Sequence, residues 1–320
     1  MFRSNEAMRY FISIFIILFL KLTATSQCVT VQIKDSGVLF KEGSDSILFY
    51  QTAHKELNGT YKRSNYIHPL YTLDGEVFTE DFPSDHLHHR GVFWAWHQLY
   101  VGYKRIGDGW LIKDFKWQVL SVEELKKKGK QKRVKAHIIW KSPLWLDENG
   151  NEKPLVSEHT TITVFPKTEN YRQIDIEIAL IAQEPNLRIG GSEDEKGYGG
   201  FSTRIRLDKD MIFTSSTGQV EPQQRPMEAE GWIDISGALG HHNLVAGITI
   251  LSHHKNPGYP NPWILRQKGS MQNAVYPHPG NKAVILSDIE PIILRYRILV
   301  HNGLKASEIS SLFAKYLKMK

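Results

Sequence analysis

Apolar and polar residues alternate along much of this chain. Ile174, Ile176, Ile178 and Leu180 are separated by Asp175, Glu177 and Ala179, and Phe201, Thr203, Ile205 and Leu207 by Ser202, Arg204 and Arg206. An extended backbone sends successive side chains to opposite faces, so each run predicts a β-strand with one face buried. Val134 to Trp140, Thr160 to Phe165, Leu244 to Leu251 and Ile292 to Val300 are further strand-like runs, and Asn149-Gly150, Gly190-Gly191 and Pro257-Gly258 supply turns between them. Beyond the first 26 residues, helical spacing occurs at the end of the chain. Ile309, Leu312, Phe313, Tyr316 and Leu317 fall at i, i+3, i+4, i+7 and i+8, with Ser307 as the cap. The pattern predicts an all-β fold: a large antiparallel two-sheet sandwich, or supersandwich, with a short C-terminal helix over a sheet edge or face.

The first residues follow another rule. Arg3 and Arg9 precede an apolar run from Phe11 to Leu20, and the small-x-small triplet Ala24-Thr25-Ser26 follows. This is the layout of an export signal, so residues 1–26 are expected to be removed and 27–320 to form one exported domain, periplasmic or extracellular. The apolar run is about half the roughly 20 residues needed to span a bilayer, so no stable membrane span is expected. Cys28 offers a lipid attachment point, but Gln27 before it is not small, which makes a lipoprotein the weaker reading. It is the single cysteine, so no internal disulfide can form and a packed core must hold the fold. No Pro/Gly/Ser linker and no repeat interrupts the rest.

The formal charge of +6 falls to +4 without the signal, and the excess is local. Lys126, Lys127, Lys128, Lys130, Lys132, Arg133 and Lys135 lie in one stretch, and the remainder is slightly acidic. A nucleic-acid surface spreads basic residues along a groove with aromatic partners. The run instead predicts a solvated hairpin tip, with no nucleic-acid partner.

The chemistry concentrates in Asp85 to His97. These thirteen positions hold four histidines, Asp85, Arg90, Trp94 and Trp96. Imidazoles exchange protons near neutral pH, guanidinium forks grip oxygens, and indoles offer flat faces. If Asp85 to His89 is extended, His86 and His88 share a face and His89 points away. Such a pair could ligate a metal, with Asp85 or a distant His254 or His278 completing the shell, as in the cupin pattern, but the glutamate that pattern needs downstream is missing. Glu193 and Tyr198 lie in a glycine-rich stretch (190–200) leading to Arg204, and the glycines precede a strand, unlike a phosphate loop. His254, Trp263 and Arg266 belong to a proline-set loop, Ser252 to Arg266, expected to close over a ligand from the other side of the sheet.

His68-Pro69-Leu70-Tyr71-Thr72, the Asp81-to-Gly91 run, Tyr198-Gly199-Gly200-Phe201, the Asn256-to-Trp263 loop and Leu294-Arg295-Tyr296-Arg297 together resemble the PmoA-like family of exported bacterial proteins. The likeness covers nearly all of the chain after the signal. Such proteins occur beside sugar-processing genes, so the resemblance implies a carbohydrate ligand. Methane oxidation, the source of the family's name, belongs to a multi-helix membrane protein and is rejected. At fold level only, the chain is also similar to galactose mutarotase-like sandwiches, but no catalytic glutamate aligns.

The expectation is a carbohydrate-active protein without a cofactor. His88, His89, Glu193 and His254 are the candidate acid–base groups for hydrolysis, elimination or epimerisation. Asp85, His86, Arg90, Trp94, Trp96, Tyr198, Arg204, Trp263 and Arg266 are the candidate ligand contacts. The alternatives are a non-catalytic glycan-binding module, with the tryptophans stacked on sugar rings, and a cupin-like metal enzyme. Oligomeric state is open.

Overall fold

The computed structural model describes residues 28–126, 129–207, 210–239, 244–268 and 271–319. The expected signal segment lies outside the described residues. Two large antiparallel sheets face each other. The first has eight strands in the order Val29–Lys34, Gly37–Glu42, Asp45–Gln51, Tyr66–Leu70, Val92–Trp96, Gly199–Thr203, Gln272–Val275 and Trp263–Ile264. The second has nine: Lys116–Glu124, Lys132–Lys141, Val156–Val164, Tyr171–Ala182, Ile292–His301, Leu244–Ser252, Trp232–Leu239, Ile212–Ser215 and Gly218–Gln219. A four-stranded sheet (Val284–Ile285, Leu187–Gly190, Gln98–Val101, Lys104–Gly107) and a hairpin (Lys55–Leu57, Thr60–Arg63) complete the sandwich.

The alternation seen in the sequence sets the inner face of the second sheet. Ile174, Ile176, Ile178 and Leu180 are buried, while Gln173, Asp175 and Glu177 turn outward. Each such side chain, fully buried, contributes roughly 1.5–3 kcal/mol of hydrophobic stabilisation. Aromatic rings bridge the sheets: Phe201 stacks on Tyr296 at 4.3 Å and Trp96 packs on Trp140 at 5.5 Å. One contiguous core runs from Val29 to Val300.

The central strands of the first sheet are buried on both faces. Trp94 and Phe201 point inward, and Phe93 points outward beneath the loops that carry His89 and Trp110. This changes the expected strand from Phe201 to Leu207. It ends at Thr203, and beyond it Arg204 N donates to Gly91 O (2.7 Å) and Ile205 keeps a lone bridge to Thr79. Gly190-Gly191 is likewise no turn, because Gly190 still pairs with Gln98 and Gly191 N donates to Gly280 O at 2.6 Å. A Cβ on Gly191 would collide with the backbone of Gly197, so glycine permits this close approach.

The helix spans Ala306–Leu317 and starts from Lys305, with Ser307 inside its first turn; Glu308 Oε2 accepts from Lys305 N at 2.8 Å in place of the expected serine cap. Its stripe of Ile309, Leu312, Phe313 and Tyr316 packs on Trp232, Leu251 and Leu299, outside the second sheet. The basic run spans the hairpin between Lys116–Glu124 and Lys132–Lys141, as expected; Lys127 and Lys128 lie outside the described residues. Among the described residues no helix is long and apolar enough to cross a membrane.

Candidate functional site

Asp85 to His89 is not extended. Two successive turns form it: His86 N donates to Pro83 O (3.0 Å) and His89 N to His86 O (2.9 Å). A turn brings residues i and i+3 together, so the His86 and His89 rings stack at 4.6 Å with 4° between planes, and His88 meets His89 edge-on at 4.5 Å. All three imidazoles therefore share one cluster. An extended chain would have sent His89 to the far side.

Two arginines expected to touch ligand instead hold this loop in place. Arg204, almost fully buried, forks onto Asp85 (2.7 and 3.1 Å) and donates through Nε to Glu80 Oε2 (2.7 Å). Arg90 is fully buried, donates to Asp81 Oδ1 at 2.9 Å and lies 3.2 Å over the Phe82 ring. Desolvation pushes the Asp85 carboxyl up, but hydrogen bonds from Arg204 and His86 outweigh it and hold the group down at about 2.

Beneath the histidines lies an aromatic floor. Trp110 packs against Phe93 (5.3 Å), His97 (5.3 Å, stacked), His89 (6.2 Å) and Tyr198 (5.5 Å). His97 Nδ1 is 3.0 Å from Asp108 Oδ2, which also accepts from Arg105 (3.3 Å), while Asp108 Oδ1 accepts from Leu111 N (2.8 Å). Arg105 continues to Glu193 Oε2 (2.9 Å), whose other oxygen accepts from the Tyr100 hydroxyl (3.1 Å). Glu193 thus sits exposed at the rim, tied to the His97–Asp108 pair through one guanidinium. Arg266 donates to the Tyr198 hydroxyl.

Burial lowers His88 to about 4 and His89 to about 2, and neighbouring imidazoles add to the effect. The shifts favour the neutral imidazole of both at pH 7. His89 Nδ1 is buried without a hydrogen-bond partner among the described residues.

Three tryptophans and one histidine leave the candidate list. Trp94, Trp96 and Trp263 are buried in the core, donating to Glu158 Oε1 (2.7 Å), Tyr276 O (2.7 Å) and Glu230 O (3.0 Å). None offers a face to a ligand. The exposed His254 lies beside His253 (4.5 Å), whose ring meets Tyr316 of the helix at 4.9 Å, outside the second sheet and across the sandwich from His88. The loop Ser252 to Arg266 crosses from one sheet to the other, and only Arg266 reaches the cluster. Among the described residues no group of three or more His, Cys, Asp or Glu side chains is placed to hold a metal ion, and His86 Nδ1 is taken by Asp85 at 2.9 Å.

No chemical motif in the sequence points to Asp108 or Trp110, and His97 stands out there only as part of a dense run. A signal was present. Gly102-Tyr103 separates two short strand-like pieces, and the hairpin they form pairs Leu99 with Gly107, which brings residues 97 and 108 together.

No curated protein matches the chain in sequence. The family model that matches it covers residues 37–314, most of the helix and all of the two large sheets except the edge strand Val29–Lys34, so the chain belongs to DUF6807, a family of unknown function.

Proposed function

We propose that the chain is an exported carbohydrate-active protein whose His88–His97 cluster performs acid–base chemistry on a sugar or glycoside. The observation that carries this reading is one arrangement: a carboxylate-oriented His97 stacked on Trp110, whose ring also meets His89 of the histidine loop, with His88 edge-on to His89. His88 takes a proton from a hydroxyl or an activated C–H of the sugar. Asp108 on Nδ1 fixes the His97 ring and leaves Nε2 as the group that exchanges the second proton. Tyr198 and Arg266 hold substrate oxygens at the rim. Hydrolysis, elimination and epimerisation all draw on such a pair, and the resemblance to PmoA-like exported proteins points to the same substrate class. The glycan-binding alternative loses support, because the three indoles it relied on are enclosed in the core.

The test is NMR of the purified protein with a panel of oligosaccharides and keto-sugars. Product signals are expected for at least one sugar, with turnover reduced by roughly 10²–10⁴-fold in His97→Ala at unchanged circular dichroism. Line broadening without product would overturn the catalytic reading in favour of a binding module. No interaction with any sugar would overturn both.

A further inference from the structure

A second polar surface lies on the outer face of the nine-stranded sheet, across the sandwich from the histidine cluster. Register places Lys135 beside Thr161, Thr161 beside Glu177 and Glu177 beside Arg295, one row across four strands. The adjacent row is Arg133, Thr163, Asp175 and Arg297. At strand spacing each row is about 14 Å long. The C-terminal helix walls one side through Tyr316, and the groove between has a volume of about 480 Å³, within the range of small-ligand sites.

The charges on this face are unevenly satisfied. Asp175 is gripped by Arg297 (2.6 and 2.8 Å) and Glu177 by Arg295 (3.1 Å). Two strands away, Arg133 donates only to the Thr163 hydroxyl (3.1 Å), and Lys135 makes no ion pair among the described residues. His159 stacks on His137 at 4.5 Å, and its Nδ1 is buried with no partner among the described residues. The groove therefore has a cationic side, Arg133 and Lys135, that makes no ion pair among the described residues although Glu123 lies in register beside Lys135, a histidine that burial and Lys135 hold toward its neutral form, hydroxyls in the middle, and carboxylates with spare lone pairs opposite.

We propose that this groove binds an acidic oligosaccharide, with a sugar carboxylate between Arg133, Lys135 and His159 and ring hydroxyls on Thr161, Thr163 and Glu177. A carboxylate matches the unpaired cations, and a chain bearing many hydroxyl donors suits the acceptors beside them. A polyphosphate would meet the cations but brings no hydroxyl donors for Thr161, Thr163 and the carboxylates beyond them. A peptide strand would find no free backbone edge in the middle of a sheet. The inference does not depend on the histidine cluster being catalytic.

The experiment is calorimetric titration of the full chain with hexagalacturonate, its fully methyl-esterified form and a single-stranded oligonucleotide at low salt. Binding of the hexagalacturonate is expected, at least about tenfold tighter than either comparator and weakened at least about tenfold by the double variant Arg133→Gln/Lys135→Gln. His88→Ala should bind it as the wild type does, which separates this groove from the other site. The inference fails if the acid does not bind, if the ester or the oligonucleotide binds equally well, if the double variant is unchanged, or if His88→Ala abolishes binding. Both substituted positions reach solvent, and unchanged thermal unfolding of the double variant excludes a folding defect.

Discussion

The indole Nε1 of Trp94 donates to the Glu158 carboxylate across the sandwich, at 2.7 Å. Glu158 has no solvent exposure and also accepts from Trp140 Nε1 (2.7 Å), Asn65 Nδ2 (2.8 Å) and Thr160 Oγ1 (2.6 Å). Four donors replace the water that a buried carboxylate loses, so one acid joins indoles from facing sheets. Glu158→Gln keeps the volume but sets an N–H₂ group against an indole donor. A loss of about 1–3 kcal/mol is expected, read as a lower urea midpoint at constant m-value. An unchanged midpoint would show that the carboxylate is dispensable.

Stability should fall as pH drops below about 6.5. His88 and His89 have folded-state values of about 4 and 2, under the ordinary histidine value, so the unfolded chain takes up protons first. Their contribution is complete above about 6.5 and is lost as pH falls from there toward 4 for His88 and toward 2 for His89. In His89→Gln the slope of unfolding free energy between pH 5 and 6 should be shallower by up to ~1.4 kcal/mol per pH unit. Urea unfolding at pH 5, 6 and 7 measures it, and parallel slopes for variant and wild type would contradict the buried neutral imidazole.

Arg204→Lys should loosen the histidine loop. A lysine cannot reproduce the fork onto Asp85 together with the Nε bond to Glu80. Amide exchange over residues 84–89 is expected to quicken while exchange in Tyr171–Ala182 stays as it was. Equal protection of the loop in both proteins would remove Arg204 from this role.

Asp108→Asn should lower kcat by about 10²-fold or more with little change in KM, because it disturbs the orientation of His97 and not the groups that grip substrate. A KM effect alone would mean that Asp108 serves binding only.

Strand-level organisation is legible in the sequence. The burial of Ile174 to Leu180 followed from period two, and the apolar stripe of the C-terminal helix followed from its spacing. The first sheet was harder, since Val92–Trp96 is buried on both faces and no polar residue marks an outer side. Trp94 and Phe93 are neighbours of similar character, yet one lies in the core and the other under the candidate site. In the histidine loop, two local turns overrode the extended reading and gathered His86, His88 and His89.

By itself, the sequence determined the all-β class, five of the nine strands of the second sheet, the terminal helix and the stretch where proton-carrying residues concentrate. Only the tertiary structure decided which of those residues meet: His97 with Asp108, Tyr198 with Arg266, and His254 on the opposite side of the molecule from His88. Side-chain periodicity reports whether a face is buried, a property of a few neighbouring residues. What that face is buried against depends on how distant strands and loops pack, and this is set by contacts across the whole chain.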